Sequence, residues 1–230
     1  MVIKDIINYF CGMVMDLLYP PKCQICDKYI EDRNVFICEE CESKVLSVDL
    51  YPNNRPHLKE IWRLTKYNSG TRQLILDLKF NNKLNRINII HKILDNALTS
   101  NAKLTKLMNK IDIATVVPLH SEREKERGFN QVELIFNDWL KKQNILIEKL
   151  ILRKKKTEHL YNMNLEERQK ELEGAFDLVE GVETIIKDKC ILILDDIFTT
   201  GTTMSECAEV LKSNGAAEIY GLALASDFKV

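Results

Sequence analysis

Hydrophobic positions change period several times along the chain, and each change predicts an element. Ile3, Ile6, Ile7, Phe10, Val14, Leu17 and Leu18 fall at helical spacing, so the first eighteen residues predict an amphipathic helix that packs on the protein or on a partner. Leu74, Ile75 and Leu78 repeat that spacing in a second amphipathic segment. Ala114 to Val117 is a short β-favouring run stopped by Pro118, and a helix is expected to begin near Asn130, after a turn at Gly128. Ile191 to Leu194 are four consecutive aliphatic residues followed by two acids. A run without alternation predicts a central parallel strand covered on both faces, here reaching its carboxyl end at Asp195. Cys207, Ala208, Val210 and Leu211 then resume a helical period, closed by Asn214-Gly215. Arg153 to Glu173 is polar, carries both charges and has few apolar anchors, and so reads as a mobile lid.

Composition narrows the picture. The 230 residues are 45% hydrophobic and 29% charged, which supports a packed core and excludes wholesale disorder. At about 150 residues per domain, the length suits one ordinary domain plus a small module. With 33 Lys and Arg against 34 Asp and Glu, the net charge of −1 excludes polyanion binding driven by overall positive charge, so any basic face must be local. Arg153 to Lys156, four successive cations, is the most visible candidate, either as phosphate contacts or as solvated surface. There is no uninterrupted apolar run of the roughly 18 residues that would suggest a transmembrane helix. Asp5 and Asp16 break up the first helix, and no small-residue cleavage pattern precedes Tyr19-Pro20-Pro21. A cytoplasmic protein is expected.

Of the seven cysteines, Cys23, Cys26, Cys38 and Cys41 form two Cys-x2-Cys knuckles separated by eleven residues. Two residues between thiols let a tight turn aim both sulfurs at one point, and two such turns supply the four ligands of a tetrahedral Zn²⁺ site. With every position filled by protein, no coordination site is open for catalysis, so the ion is structural. Lys22 and Lys28 help offset the thiolate charge, whereas Glu39, Glu40 and Glu42 do not. Cys11, Cys190 and Cys207 read as ordinary buried residues.

Candidate chemistry concentrates after the aliphatic strand, in Asp195, Asp196, Thr199, Thr200, Gly201, Thr202 and Thr203. Gly201 permits a tight turn and close backbone approach, amides at the helix start face an anion, and the threonine hydroxyls add donors. Such a cradle suits the monophosphate of a sugar. Asp195 and Asp196 would repel phosphate but accept hydrogen bonds from neighbouring ribose hydroxyls, directly or through Mg²⁺. Neither Gly-x4-Gly-Lys-Ser/Thr nor Gly-x-Gly-x2-Gly occurs, which argues against a nucleoside-triphosphate P-loop and a dinucleotide fold. Lys79 ends its amphipathic segment as a snorkelling residue or a ligand contact, and His120 is a loop histidine or a polar group of the same site. Arg127 precedes Gly128 at a turn, where its fork would suit phosphate oxygens.

The stretch Ile191 to Thr203 resembles the phosphoribosyl-pyrophosphate loop of type I phosphoribosyltransferases. Together with the knuckles, Leu18-Tyr19-Pro20-Pro21, Asp77-Leu78-Lys79-Phe80, Val116 to His120, Arg127-Gly128-Phe129-Asn130-Gln131 and Gly174-Ala175-Phe176, it is similar to the ComF/GntX-like competence family over nearly the whole chain. The resemblance implies an α/β fold, a type I phosphoribosyltransferase-like parallel sheet with helices on both faces, at residues 56–230. A small four-cysteine zinc-ribbon module and the N-terminal helix occupy residues 1–55. It implies binding of phosphoribosyl pyrophosphate or a nucleotide with Mg²⁺, with Lys79, His120 and Arg127 on the pyrophosphate side. The implied role is natural transformation, through handling of imported single-stranded DNA, with a DNA-processing protein as a further partner. Two other readings are an active phosphoribosyltransferase on an unidentified acceptor and a zinc-dependent docking protein with a vestigial sugar-phosphate site. The chain departs from the family pattern at Leu160 and Glu171, where relatives usually carry Gln and Asn, and Thr199 stands where relatives acting on 6-oxopurines place an aspartate base.

Overall fold

The computed structural model describes residues 19–32, 35–52, 55–80, 85–120, 122, 124–125, 128–155 and 165–226. The expected N-terminal helix and Cys11 lie outside them. The main sheet has five strands: β1 (Leu46–Tyr51), β2 (Glu60–Lys66), β3 (Ile113–Val116), β6 (Cys190–Phe198) and β7 (Glu218–Ser226), in the order β1-β2-β7-β6-β3. All neighbours run parallel except β1, which pairs antiparallel with β2. A separate antiparallel ribbon joins β4 (Ile151–Arg153) to β5 (Phe176–Leu178).

The unalternating run of β6 is explained by cover on both faces. Leu192 and Leu194 enter a core with Trp62, Ile75, Ile90 and Trp139, whereas Ile191 and Ile193 enter a second with Met204, Cys207 and Leu211. The first core is closed by helices α2 (Ser69–Phe80), α3 (Arg86–Ser100), α4 (Ala102–Met108) and α5 (Gln131–Lys141), the second by α8 (Thr202–Ser213). The expected parallel sheet with helices on both faces is therefore present. The strand itself runs further than expected: Asp195, Ile197 and Phe198 remain in register with Ala223, Ala225 and Ser226. The acids do not end β6, because the partner strand β7 continues alongside them.

Helix starts follow the local chemistry. Asn130 accepts the Val132 N–H at 2.9 Å and caps α5 where the turn at Gly128 was expected to lead into a helix. Beyond α8, Gly215 takes φ +100°, the backbone shape for which Asn214-Gly215 was read as a stop.

The cysteine module folds against this scaffold. Its first knuckle is a tight turn with Cys23 N–H bonded to Lys28 O at 2.8 Å and Asp27 N–H bonded to Cys23 O at 2.9 Å. Its second is the start of α1 (Glu39–Val45), where Cys38 is the N-cap and Cys41 lies one turn on. Ile37 and Val45 share a core with Leu74, Ile89 and Ile93 of α2 and α3. A Cβ on Gly70 would come within 2.9 Å of Ile25, so the module seats directly on the first turn of α2. β1, which continues from α1 and lies before residue 55, supplies the edge strand of the main sheet.

The segment read as a lid holds more regular structure than its polarity suggested. Arg153 belongs to β4 and α6 (Leu165–Leu172) forms a helix, while residues 156–164 fall outside the described structure. In the basic run, Lys154 pairs with Asp177, Lys155 donates to Glu173 O at 2.6 Å, and Arg153 stands 5.5 Å from the Phe176 ring. These three cations stabilise the β4–β5 ribbon and the end of α6; Lys156 lies outside the described residues. A short helix, α7 (Glu183–Ile186), then links β5 to β6.

Candidate functional site

Two clusters carry the chemistry. In the first, the ligand sulfurs of Cys23, Cys26, Cys38 and Cys41 all lie within 4.8 Å of one another, and Cys26 Sγ and Cys38 Sγ are 3.8 Å apart. A tetrahedral ion with Zn–S arms of about 2.3 Å needs sulfurs about 3.8 Å apart, so the cluster fits zinc in size as well as in donor type. Its thiols are divided electrostatically. Burial raises Cys23, but the backbone amides of Cys38, Cys26 and Ile25 outweigh it and lower the thiol to about 6. Burial and the neighbouring sulfurs push Cys41 well above its ordinary value. A dication is what allows all four to ionise together.

The second cluster lies at the carboxyl end of the parallel strands. Asp196 is 5% exposed and accepts from Lys79 Nζ at 2.6 Å and from Gln131 Nε2 at 3.1 Å. Lys79 comes from the last turn of α2 and Gln131 from the first turn of α5, so three separate elements meet at one carboxylate. Asp195 Oδ1 accepts the Asp196 N–H at 2.8 Å. Burial, then the adjacent Asp196 charge, push its carboxyl up to about 8 against the opposing pull of Lys79. Near neutral pH the two residues thus offer one protonated carboxyl and one carboxylate already matched with a cation.

The threonine loop follows directly. Thr199 and Thr200 form a bend, with Thr199 exposed, and Gly201 is buried at φ +72° as the N-cap of α8. Thr200 Oγ1 and Thr202 Oγ1 are 3.0 Å apart, Thr202 is buried and Thr203 half-buried. A Cβ on Gly201 would strike the Phe198 ring and come within 2.8 Å of Arg55 Nε, so both the backbone shape and the space require glycine.

Among the other expected site residues, His120 lies in the loop after β3, half-buried, with its Nδ1 3.4 Å from the Glu122 amide. Because Val116 pairs with Leu194, this loop leaves the same edge of the sheet as Asp195. Arg127 lies outside the described residues. Lys79 reaches the acid pair rather than standing as a snorkelling surface residue. Gln131 entered the sequence reading only as part of the family motif, with no role of its own, and Arg55 was not singled out. Gln131 sits one residue past a helix cap at the carboxyl end of the parallel strands, which is a usable signal; Arg55 lies in an irregular β1–β2 connection that gives none. Cys207 is buried as expected, but Cys190 is only partly so. Among the described residues no helix is long and apolar enough to cross a membrane.

Comparison with known proteins agrees with this two-part organisation. Residues 14–50 match the double zinc ribbon domain family, and residues 145–227 match the phosphoribosyl transferase domain family. The chain is 26% identical over 219 residues to the DNA utilization protein YhgH of Salmonella typhimurium, covering 92% of each. It is 30% identical over 129 residues to Competence protein F of Haemophilus influenzae, covering 54% of this chain and 55% of that one. The chain is a homologue of these proteins. Within the zinc-ribbon match it has one set of four cysteines, enough for one ion. A hypoxanthine phosphoribosyltransferase structure from Staphylococcus aureus overlaps 84% of the chain and 76% of its own length, at 15% identity and a TM-score of 0.37.

Proposed function

We propose that the protein is a competence-associated, DNA-utilization protein whose sheet edge binds a phosphoribosyl pyrophosphate-type ligand and which assists natural transformation by handling imported single-stranded DNA. The observation that carries the ligand assignment is the union at one strand end of the acid pair and the loop around Gly201. Asp196 accepts and protonated Asp195 donates, a combination that matches two adjacent ribose hydroxyls. The loop offers amides and hydroxyls to the 5′-phosphate. On this reading Lys79, His120 and Arg127 are assigned to the pyrophosphate, with Lys79 already at the acid pair and His120 in the loop after β3.

The acid pair is not by itself a preformed cage for Mg²⁺. Asp195 holds a proton and Asp196 is matched to Lys79, so a hard cation fits here as a companion of the pyrophosphate rather than as a resident ion. The names of the relatives support the DNA role, and the near-neutral net charge makes any contact with DNA local and dependent on salt.

Calorimetric titration of phosphoribosyl pyrophosphate with Mg²⁺ tests the ligand assignment. Wild type is expected to bind, and the Asp195→Asn/Asp196→Asn double variant to bind at least about tenfold more weakly, the loss of about 1.4 kcal/mol or more. Equal binding by the two proteins would remove the acid pair from the site.

A further inference from the structure

The loop around Gly201 brings its own electrostatic difficulty. A phosphate monoester bears up to two negative charges, yet this loop follows two acidic residues and its own side chains are neutral. Lys79, from the neighbouring helix, is already matched to Asp196 at 2.6 Å. Among the described residues, Arg55 is a cation set against Gly201, its Nε 2.8 Å from where a glycine Cβ would be. Arg55 comes from the connection between β1 and β2, more than a hundred residues away in sequence. It is only partly exposed, so its stem is held while its guanidinium lies beside the loop.

We infer that Arg55 is a binding residue for the phosphate end of the ligand, supplying to the Gly201 loop the positive charge that the loop lacks. The inference rests on the reading of this loop as a sugar-phosphate cradle and adds to it the residue that sets its selectivity. A guanidinium binds phosphate oxygens through a planar fork and keeps its charge at any physiological pH. Gly201 and Thr202 are buried, and the Phe198 ring and Arg55 crowd Gly201, so the space beside the loop is restricted. A terminal monoester, which is joined to the rest of its ligand at one side, fits such a seat. An internal phosphodiester, which continues in both directions, does not. The ligand class that follows is a pentose bearing a terminal 5′-phosphate.

The test is titration of ribose 5-phosphate, with ribose and a short internal phosphodiester as comparison ligands, into wild type, Arg55→Lys, Arg55→Gln and Arg55→Ala. Arg55→Gln and Arg55→Ala are expected to bind ribose 5-phosphate about ten- to thirtyfold more weakly than wild type. Arg55→Lys should recover part of that loss, and the neutral variants should show a flatter dependence on salt. Thermal melts of all four proteins accompany the titrations, and Arg55→Gln retains bulk beside Gly201 if Arg55→Ala proves unstable. Unchanged or tighter binding of ribose 5-phosphate by a folded neutral variant would overturn the inference while leaving the cradle intact. Equal affinity for the internal phosphodiester would overturn the selectivity. Absence of any binding by wild type, to ribose 5-phosphate and to phosphoribosyl pyrophosphate alike, would remove the underlying reading and the inference with it.

Discussion

The four sulfurs of the ribbon and the two carboxylates of the sheet edge pose the same electrostatic problem and resolve it in opposite ways. Both gather groups that repel one another when ionised. The ribbon places Cys23, Cys26, Cys38 and Cys41 around a point suited to an added cation. The sheet edge carries its own solution: a proton on Asp195, and Lys79 at 2.6 Å from Asp196. A fully coordinated ion stays in place, whereas a lysine and a proton can be exchanged against a ligand. The first arrangement suits a permanent staple and the second a site that binds and releases.

The largest effect should come from the ribbon. Chelation of its ion should remove stabilisation on the order of 10 kcal/mol from this module, read as loss of amide-exchange protection across residues 19–45. Protection in α2 and α3 should fall as well, since Leu74, Ile89 and Ile93 complete the same core. Native mass spectrometry should give one zinc per chain; two would break the single-site assignment, and unchanged exchange in α2 and α3 would contradict the shared core.

A smaller effect is expected at the sheet edge. Lys79→Met strands a buried carboxylate and should cost about 3–5 kcal/mol in denaturant melts. Adding Asp196→Asn should recover much of that loss; equal damage with and without it would show that the cation acts elsewhere.

The same edge should also show a slope in pH. Because the Asp195 carboxyl is raised to about 8 in the folded chain, the native state keeps a proton that the unfolded chain releases near its ordinary value of 3.8. The stabilisation is fully present below the lower value and is lost as pH rises towards about 8. Melting temperatures measured between pH 4 and 9 should therefore decline less steeply in Asp195→Asn than in wild type. Identical slopes would mean that the proton is not held.

Local signals carried much of this architecture. The paired spacing of the thiols is complete within nineteen residues, and Ile191 to Leu194 shows its two-sided cover without reference to any other segment. Asn130 as a cap and Asn214-Gly215 as a stop are equally local. What the sequence did not display depends on distant partners. The length of β6 beyond Asp195 is set by β7, and the burial of Lys79 is set by a carboxylate more than a hundred positions later. Gln131 meets Asp196 across 65 positions, and Arg55 reaches Gly201 from an irregular connection. The cations at 153–155 looked like solvent-facing charge because their partners, Phe176, Asp177 and Glu173, lie beyond the intervening segment.

The order of strands in the main sheet also bears on how the molecule is assembled during translation. β7 lies between β2 and β6 but follows both in the chain. Until it emerges from the ribosome, each of those two strands lacks its partner along that edge, and the nascent polypeptide carries two incomplete half-sheets. The cysteine module, whose contacts within itself are short in sequence, can close long before then. Its synthesis early and β7's late would make the final docking of one nine-residue strand the event that commits the whole protein to its native form.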